Sequence, residues 1–324
     1  MPKIVSFIIP KGGCGKTTTA VNLSAYVAMQ GYNVLAIDMD PQGNLTQHFG
    51  YDSESLPHTL LDVFIGEKEV SDILLKRSES LHILPNNFRM IKSIREMEKT
   101  FTPNYLLRDA IHSIKQNYDF VFIDCPPSLG IFSLNALVAS TDIMLVVSPE
   151  FFPMRSIKPL YHEYLEIKEK QNLTLNLKGV VLTMTDMRLR HSREIVEIIK
   201  KNFGEKLYST YIRNNVALKE ASSYGNSIFE YDPNSPGALD YTLLAEEFLR
   251  DFSPATEKKK YYEETFNALP SKERSAIMEL VKLKIQSYNK NSLADITEKS
   301  VLQQAVIIER NRQIERIFPY RKAK

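Results

Sequence analysis

Lys11-Gly12-Gly13-Cys14-Gly15-Lys16-Thr17 is the stretch on which the fold turns. It follows an apolar run at 4–9 and Pro10, and it opens directly into a helical pattern at 17–29, so strand, glycine-rich turn and helix N-terminus stand in order. Gly12, Gly13 and Gly15 let main-chain N–H groups converge on phosphate oxygens. Lys16 neutralises charge at the β- and γ-phosphates of a nucleotide, and the Thr17 hydroxyl can ligate Mg2+. The spacing predicts a nucleotide-binding loop over 11–18, from Lys11 to Thr18.

Outward from the loop, further short apolar runs recur at 34–37, 81–84, 120–123, 143–147 and 179–183. Most lack polar alternation, as strands do when both faces of a parallel sheet are covered. Helical patterns at 17–29 and 156–170 lie between some of them, and a third runs from Ser192, read as an N-cap, to Gly204, read as the C-terminal stop. Alternating strand and helix predicts right-handed crossovers and a doubly wound, mostly parallel α/β domain of P-loop type over 1–252. Ser253-Pro254 and Lys258-Lys259-Lys260 break the pattern, and 253–324 reads as a basic helical extension with helices starting near 271 and 292.

Of 324 residues, 43% are hydrophobic and 25% charged, which is ordinary globular composition rather than a disordered one. The net charge of +2 hides an asymmetry: residues 255–324 hold 15 Lys and Arg against 9 Asp and Glu, while the rest holds 26 against 30. A basic appendage on a mildly acidic body fits an anionic partner for the tail or a solvated helical face. Cys14 and Cys125 are the two cysteines, which excludes a disulfide framework and fits a reducing compartment. No run approaches 18 apolar residues and no secretory leader is evident, so a cytosolic protein without membrane spans is expected.

Two carboxylate motifs complete the pattern. The run at 120–123 ends in Asp124-Cys125-Pro126-Pro127-Ser128-Leu129-Gly130, and an aspartate closing a buried strand beside a phosphate loop holds Mg2+, usually through water. The run at 34–37 ends in Asp38-Met39-Asp40-Pro41-Gln42-Gly43-Asn44. With Lys11 preceding the glycines, these stretches resemble the deviant Walker A loop, switch I and switch II of the ParA/MinD/nitrogenase-iron-protein superfamily. Pro10 stands where the strict pattern has glycine and where ParA relatives commonly have Gln or Asn; it fixes φ and offers no N–H. From Lys3 to about Phe248 the chain is similar to a ParA/Soj-type partition ATPase, through Ser133-Leu134-Asn135-Ala136-Leu137 and Glu230-Tyr231-Asp232-Pro233 as well.

That resemblance implies an ATPase with ATP and Mg2+ as cofactors. It implies that Lys11 reaches the partner's phosphates in an ATP-dependent homodimer and that Asp40 orients the attacking water. Lys16 completes the catalytic set, while Asp38 joins Thr17 and Asp124 around the metal. It further implies non-specific DNA binding, release when a ParB-like centromere-binding protein stimulates hydrolysis, and a nucleoid-associated location. Where relatives carry Pro-Arg-Asn-Val-Arg-Leu this chain has Arg213-Asn214-Asn215-Val216-Ala217-Leu218, so both family arginines are displaced. Arg188, Arg190, Arg213 and Lys219 are the candidate replacements; Arg193, Lys200, Lys201 and the basic extension are further sources of charge. The alternative is a MinD-like membrane-associated positioning ATPase, for which 314–322 would have to serve as an amphipathic anchor. Cys14, inside the loop, and Cys125, beside Asp124, are poorly placed for an iron–sulfur ligand set.

Overall fold

A computed structural model describes residues 1–149 and 153–252 together with the single position Arg274. The helices expected near 271 and 292, and the segment 314–322, lie outside the described residues.

The six apolar runs form strands β1 (Lys3–Ile8), β2 (Val34–Asp38), β4 (Leu81–Leu84), β5 (Phe120–Asp124), β6 (Asp142–Val147) and β7 (Asn176–Thr185). Two strands join them that the apolar-run criterion passes over, β3 (Leu75–Ser78) and β8 (Leu207–Arg213). Together they make one sheet in the order β3-β4-β2-β5-β1-β6-β7-β8, parallel throughout except for the β3–β4 pair at one edge. Both additions are edge strands and read differently for that reason. Leu75-Lys76-Arg77-Ser78 is half exposed, and Leu207-Tyr208-Ser209-Thr210-Tyr211-Ile212-Arg213 alternates buried and less buried positions.

Period two divides the central strands between two cores. Ile4 and Ile8, Leu35 and Ile37, Val121 and Ile123 enter one apolar cluster, while Val5 and Phe7, Val34 and Ala36, Phe120 and Phe122 enter the other. Helices Ile131–Ala139, Pro153–Lys170 and Arg190–Phe203 contribute to the first; α1 (Lys16–Met29) and the helix Pro236–Phe252 contribute to the second. Phe122 and Phe248 meet edge to face with centroids 5.5 Å apart, which locks the helix Pro236–Phe252 onto β5. Helix α1 is buried at Thr19 and at every position from Ala20 to Ala28, so truncating Leu23 at its centre should cost about 2–5 kcal/mol.

The third helix corrects the sequence reading at its start. Arg190–Phe203 is preceded by Leu189 as its N-cap, and Ser192 is buried in the first turn. The Asp186 carboxylate accepts from the Arg188 N–H at 3.0 Å, and the Asp186 carbonyl accepts from the Leu189 N–H, so the chain is already turned before Ser192. Gly204 ends the helix at φ 54° as expected. The arrangement brings the carboxyl ends of β1, β2 and β5 side by side, with Phe7 and Asp38 both in register with Asp124. Ligands of open α/β sheets bind at such an end.

Candidate nucleotide site and the basic edge

The loop after β1 is built from left-handed glycines: Gly13 at φ 69° and Gly15 at φ 79°, the latter serving as N-cap of α1. A side chain at either would be strained, which is why the positions are glycine. Thr183 of β7 donates its hydroxyl hydrogen to the Cys14 carbonyl at 2.6 Å, turning that oxygen toward the neighbouring strand. Lys16 is only 6% exposed, and its Nζ donates to the Lys11 carbonyl at 2.9 Å. No acidic residue occupies the first turn of α1, so the positive end of its dipole is left for an anion.

Beside the loop, the Thr17 hydroxyl donates to Asp124 Oδ2 at 2.6 Å, while Asp124 Oδ1 is buried with no hydrogen-bond partner. Burial pushes this carboxyl up from its ordinary 3.8 to about 7, against the pull of Thr17 and Lys16. An unpartnered buried carboxylate oxygen next to a threonine hydroxyl is costly by itself. It fits a hard divalent cation such as Mg2+, which takes oxygen ligands. Among the described residues no group of three or more His, Cys, Asp and Glu forms a metal cage.

Asp38 is wholly buried, and burial together with the neighbouring Asp124 raises its pKa well above the usual carboxylate range. Its Oδ2 accepts from the main-chain N–H and the hydroxyl of Thr46 at 2.9 and 2.8 Å, and its Oδ1 accepts from the Asp40 N–H at 3.2 Å. The side chain expected in the metal shell is thus engaged by three donors of its own loop. Asp40 lies in the same loop, nearly buried, with Oδ1 accepting from the Gln42 N–H at 3.0 Å. Burial raises its pKa, while the Gln42 N–H and the Lys16 charge act in the opposite direction.

A family model for an AAA domain matches residues 2–177. The sporulation initiation inhibitor protein Soj of Bacillus subtilis (strain 168) is 38% identical over 248 residues, covering 76% of this chain and 98% of that protein. The chromosome partitioning protein ParA of Caulobacter vibrioides (strain NA1000 / CB15N) is 35% identical over 250 residues, 76% of this chain and 94% of that one. The chain belongs to the ParA/Soj family of ATPases. Among solved structures, cobyrinic acid a,c-diamide synthase from Mycobacterium smegmatis with bound ADP and magnesium matches at TM-score 0.69 and 28% identity, over 78% of this chain and 96% of that one.

Within this ParA/Soj chain, the structure adds a neighbour to the phosphate loop that the sequence reading did not identify. A cavity of about 120 Å3 is walled by Gly15 and Thr18 of the loop, Met184 near the end of β7, and Asn214, Asn215 and Leu218 after β8. Met184 holds φ 53°, unusual for a residue with a side chain. The available signal was Thr183-Met184-Thr185-Asp186 closing a buried strand beside the loop.

The four candidate DNA residues divide into two kinds. Arg188 pairs with Asp186 at 2.7 Å and Arg190 with Glu194 at 2.8 Å, both with side chains nearly nine-tenths exposed. Such pairs are worth little and can exchange carboxylate for phosphate cheaply. Arg213 instead grips the buried carboxylate of Asp240 through Nε and a terminal nitrogen at 2.7–3.1 Å. Its charge is spent within the fold. Lys219 is exposed on the helix Val216–Ser223. Thr185 and Arg213 are in register, so the segments carrying Arg188 and Lys219 leave the sheet from neighbouring strand ends.

Proposed function

We propose that this ATPase drives DNA partition: it pairs on binding ATP, binds DNA without sequence preference, and hydrolyses ATP faster when a ParB-like centromere-binding protein engages it. The observation that carries the nucleotide chemistry is the Thr17–Asp124 hydrogen bond beside the unpartnered Asp124 Oδ1. Mg2+ held there would supply charge neutralisation for the transferring phosphoryl group. Main-chain N–H groups from Gly12 to Thr18 cradle the phosphates, and Lys16 exchanges the Lys11 carbonyl for phosphate oxygens. Thr17 and Asp124 would hold the metal, directly or through water, with Asp38 behind them. Asp40 orients the attacking water, and Lys11 reaches the partner subunit's phosphates. The cavity beside Gly15 and Thr18 takes the adenine base.

For DNA, the reading rests on Arg188, Arg190 and Lys219 at the edge of the sheet and on the basic residues 253–324. Arg213 is left out because Asp240 holds it. The protein would then be cytoplasmic and nucleoid-associated. The name of one relative supports the partition role, since the chromosome partitioning protein ParA of Caulobacter vibrioides is 35% identical over 76% of this chain.

The test is phosphate release with Mg2+ and ATP, with and without random-sequence duplex and a centromere-binding partner, alongside light-scattering mass. Lys16→Ala should lose nucleotide binding. Asp40→Ala should dimerise on ATP without turning it over. An Asp40→Ala protein that stays monomeric in ATP, or that keeps wild-type turnover, removes the role given to Asp40. Liposome flotation with ATP, set against gel shift on the same duplex, separates partition from the MinD-like alternative.

A further inference from the structure

The loop 40–46 is closed from two sides, and one hydroxyl joins the closures. On the inside stands Asp38: its Oδ1 takes the Asp40 N–H and its Oδ2 takes both donors of Thr46, so a single carboxylate ties the first and last residues of the loop. On the outside stand Ser53 and Asn86. A methyl group built on Gly43, at φ 66°, would come within 2.8 Å of the Ser53 hydroxyl and 2.9 Å of the Asn86 carbonyl. Thr46 is fully buried, and its Oγ1 donates to Asp38 while accepting the Asn86 N–H at 3.2 Å.

We propose that Thr46 is a positioning residue for ATP hydrolysis, acting through Asp38, which is in register with Asp124, to hold the loop that carries Asp40. The inference rests on Asp40 as the group that orients water. Thr46 touches no reacting atom. What it supplies is a fixed distance between the end of β2 and α2 (Asn44–His48), and therefore a fixed Asp40. Positioning of this kind acts on the rate, because misplacing a catalytic group by about 1 Å can cost on the order of a hundredfold. The phosphate cradle, built from the loop after β1, has no hydrogen bond to Thr46, so nucleotide affinity should not follow.

Replacement by valine removes the hydroxyl while keeping the branched shape, and Thr46→Ser keeps the hydroxyl while removing the methyl. Turnover would be measured with Mg2+ and ATP on the full chain, with nucleotide affinity by a fluorescent ATP analogue and a melting curve. Thr46→Val should lower kcat by about 10- to 100-fold with KM and analogue affinity within about twofold of wild type. Thr46→Ser should recover most of the rate, and Thr46→Ala serves as a second hydroxyl-free variant. Unchanged kcat in the valine and alanine variants overturns the proposal, as does unfolding of both, which would make Thr46 a stability residue. Asp40→Ala assayed in parallel separates the two levels: if it loses turnover while Thr46→Val keeps it, only the role of Thr46 fails. If Asp40→Ala itself keeps turnover, the reading of Asp40 falls and this inference with it.

Discussion

Asp124→Asn should stabilise the metal-free protein while abolishing its ATPase. The wild-type carboxyl is fully buried, with Oδ1 unpartnered and a pKa pushed up to about 7 from an ordinary 3.8. The sign follows from linkage: between about pH 4 and pH 7 the folded chain holds a proton at Asp124 that the unfolded chain has released, so this group makes stability fall as pH rises. At 1.36 kcal/mol per pH unit, the interval from 3.8 to about 7 amounts to a ceiling of about 4 kcal/mol. Asparagine has the same shape and can still accept the Thr17 hydroxyl hydrogen, but it carries no charge. In EDTA at pH 8 the variant should therefore melt above wild type by about 5–15 °C, at 2–4 °C per kcal/mol for a domain of this size. The gap should shrink to nearly nothing at pH 4. With Mg2+ and ATP the order should reverse, because only the carboxylate gains from the metal. A variant no more stable than wild type at pH 8 in EDTA, or a gap independent of pH, would refute the claim that Asp124 is an unrelieved buried charge without its ligand.

Three further outcomes follow from single residues. His48 is buried, with Nε2 unpartnered, and burial lowers its pKa to about 4, so the unfolded chain takes up its proton first. Wild-type stability should therefore lose up to about 3 kcal/mol through this group as pH falls from 6.5 to 4, and His48→Gln should lack that slope in melts across the interval. This slope runs opposite to that of Asp124, so Asp124→Asn must be compared with wild type at each pH. Arg213→Ala should cost about 2–4 kcal/mol in urea denaturation, because it strands the Asp240 carboxylate; a loss of DNA binding without loss of stability would return Arg213 to the DNA face. Gly225→Ala, at φ 67°, would drive a methyl group to 2.5 Å from the Gly50 Cα, and should lower stability by roughly 2–5 kcal/mol by the same method.

The sequence exposes those parts of the site whose residues are near one another in the chain. Lys11 to Thr18, Asp38 with Asp40, and Asp124 each close or follow a strand covered on both faces, so an unbroken apolar run announces them. β3 and β8 lie at the edges of the sheet, where one face meets water and apolar runs break up; the alternation in 207–213 was the readable signal for β8. The groups that hold the site in place are invisible for a different reason. Thr183 bonds the Cys14 carbonyl across 169 positions and Thr46 meets the Asn86 N–H across 40, and nothing local to either threonine reveals its partner. Arg213 is the converse case: as a letter it is a cation beside a family DNA motif, and Asp240, 27 residues on, has already neutralised it. Burial also bears on Cys125: it pushes the thiol far above its ordinary range and leaves little thiolate.

These charge assignments bear on how an acidic ATPase body could hold DNA at all. Outside residues 255–324 the chain carries 26 basic against 30 acidic side chains, so no general attraction draws it to a polyanion. Arg188 and Arg190 each begin with a carboxylate partner that must be given up, and Arg213 is committed elsewhere. On the proposed reading, the edge of one subunit outside residues 255–324 would offer few phosphate contacts, and few contacts mean weak binding with a shallow salt dependence. Pairing two subunits would double the contacts and convert the second set into an intramolecular event at high effective concentration. If ATP drives pairing as proposed, the nucleotide need not reshape the basic edge to switch DNA binding on. It need only bring two weak edges, and two basic extensions, onto the same duplex.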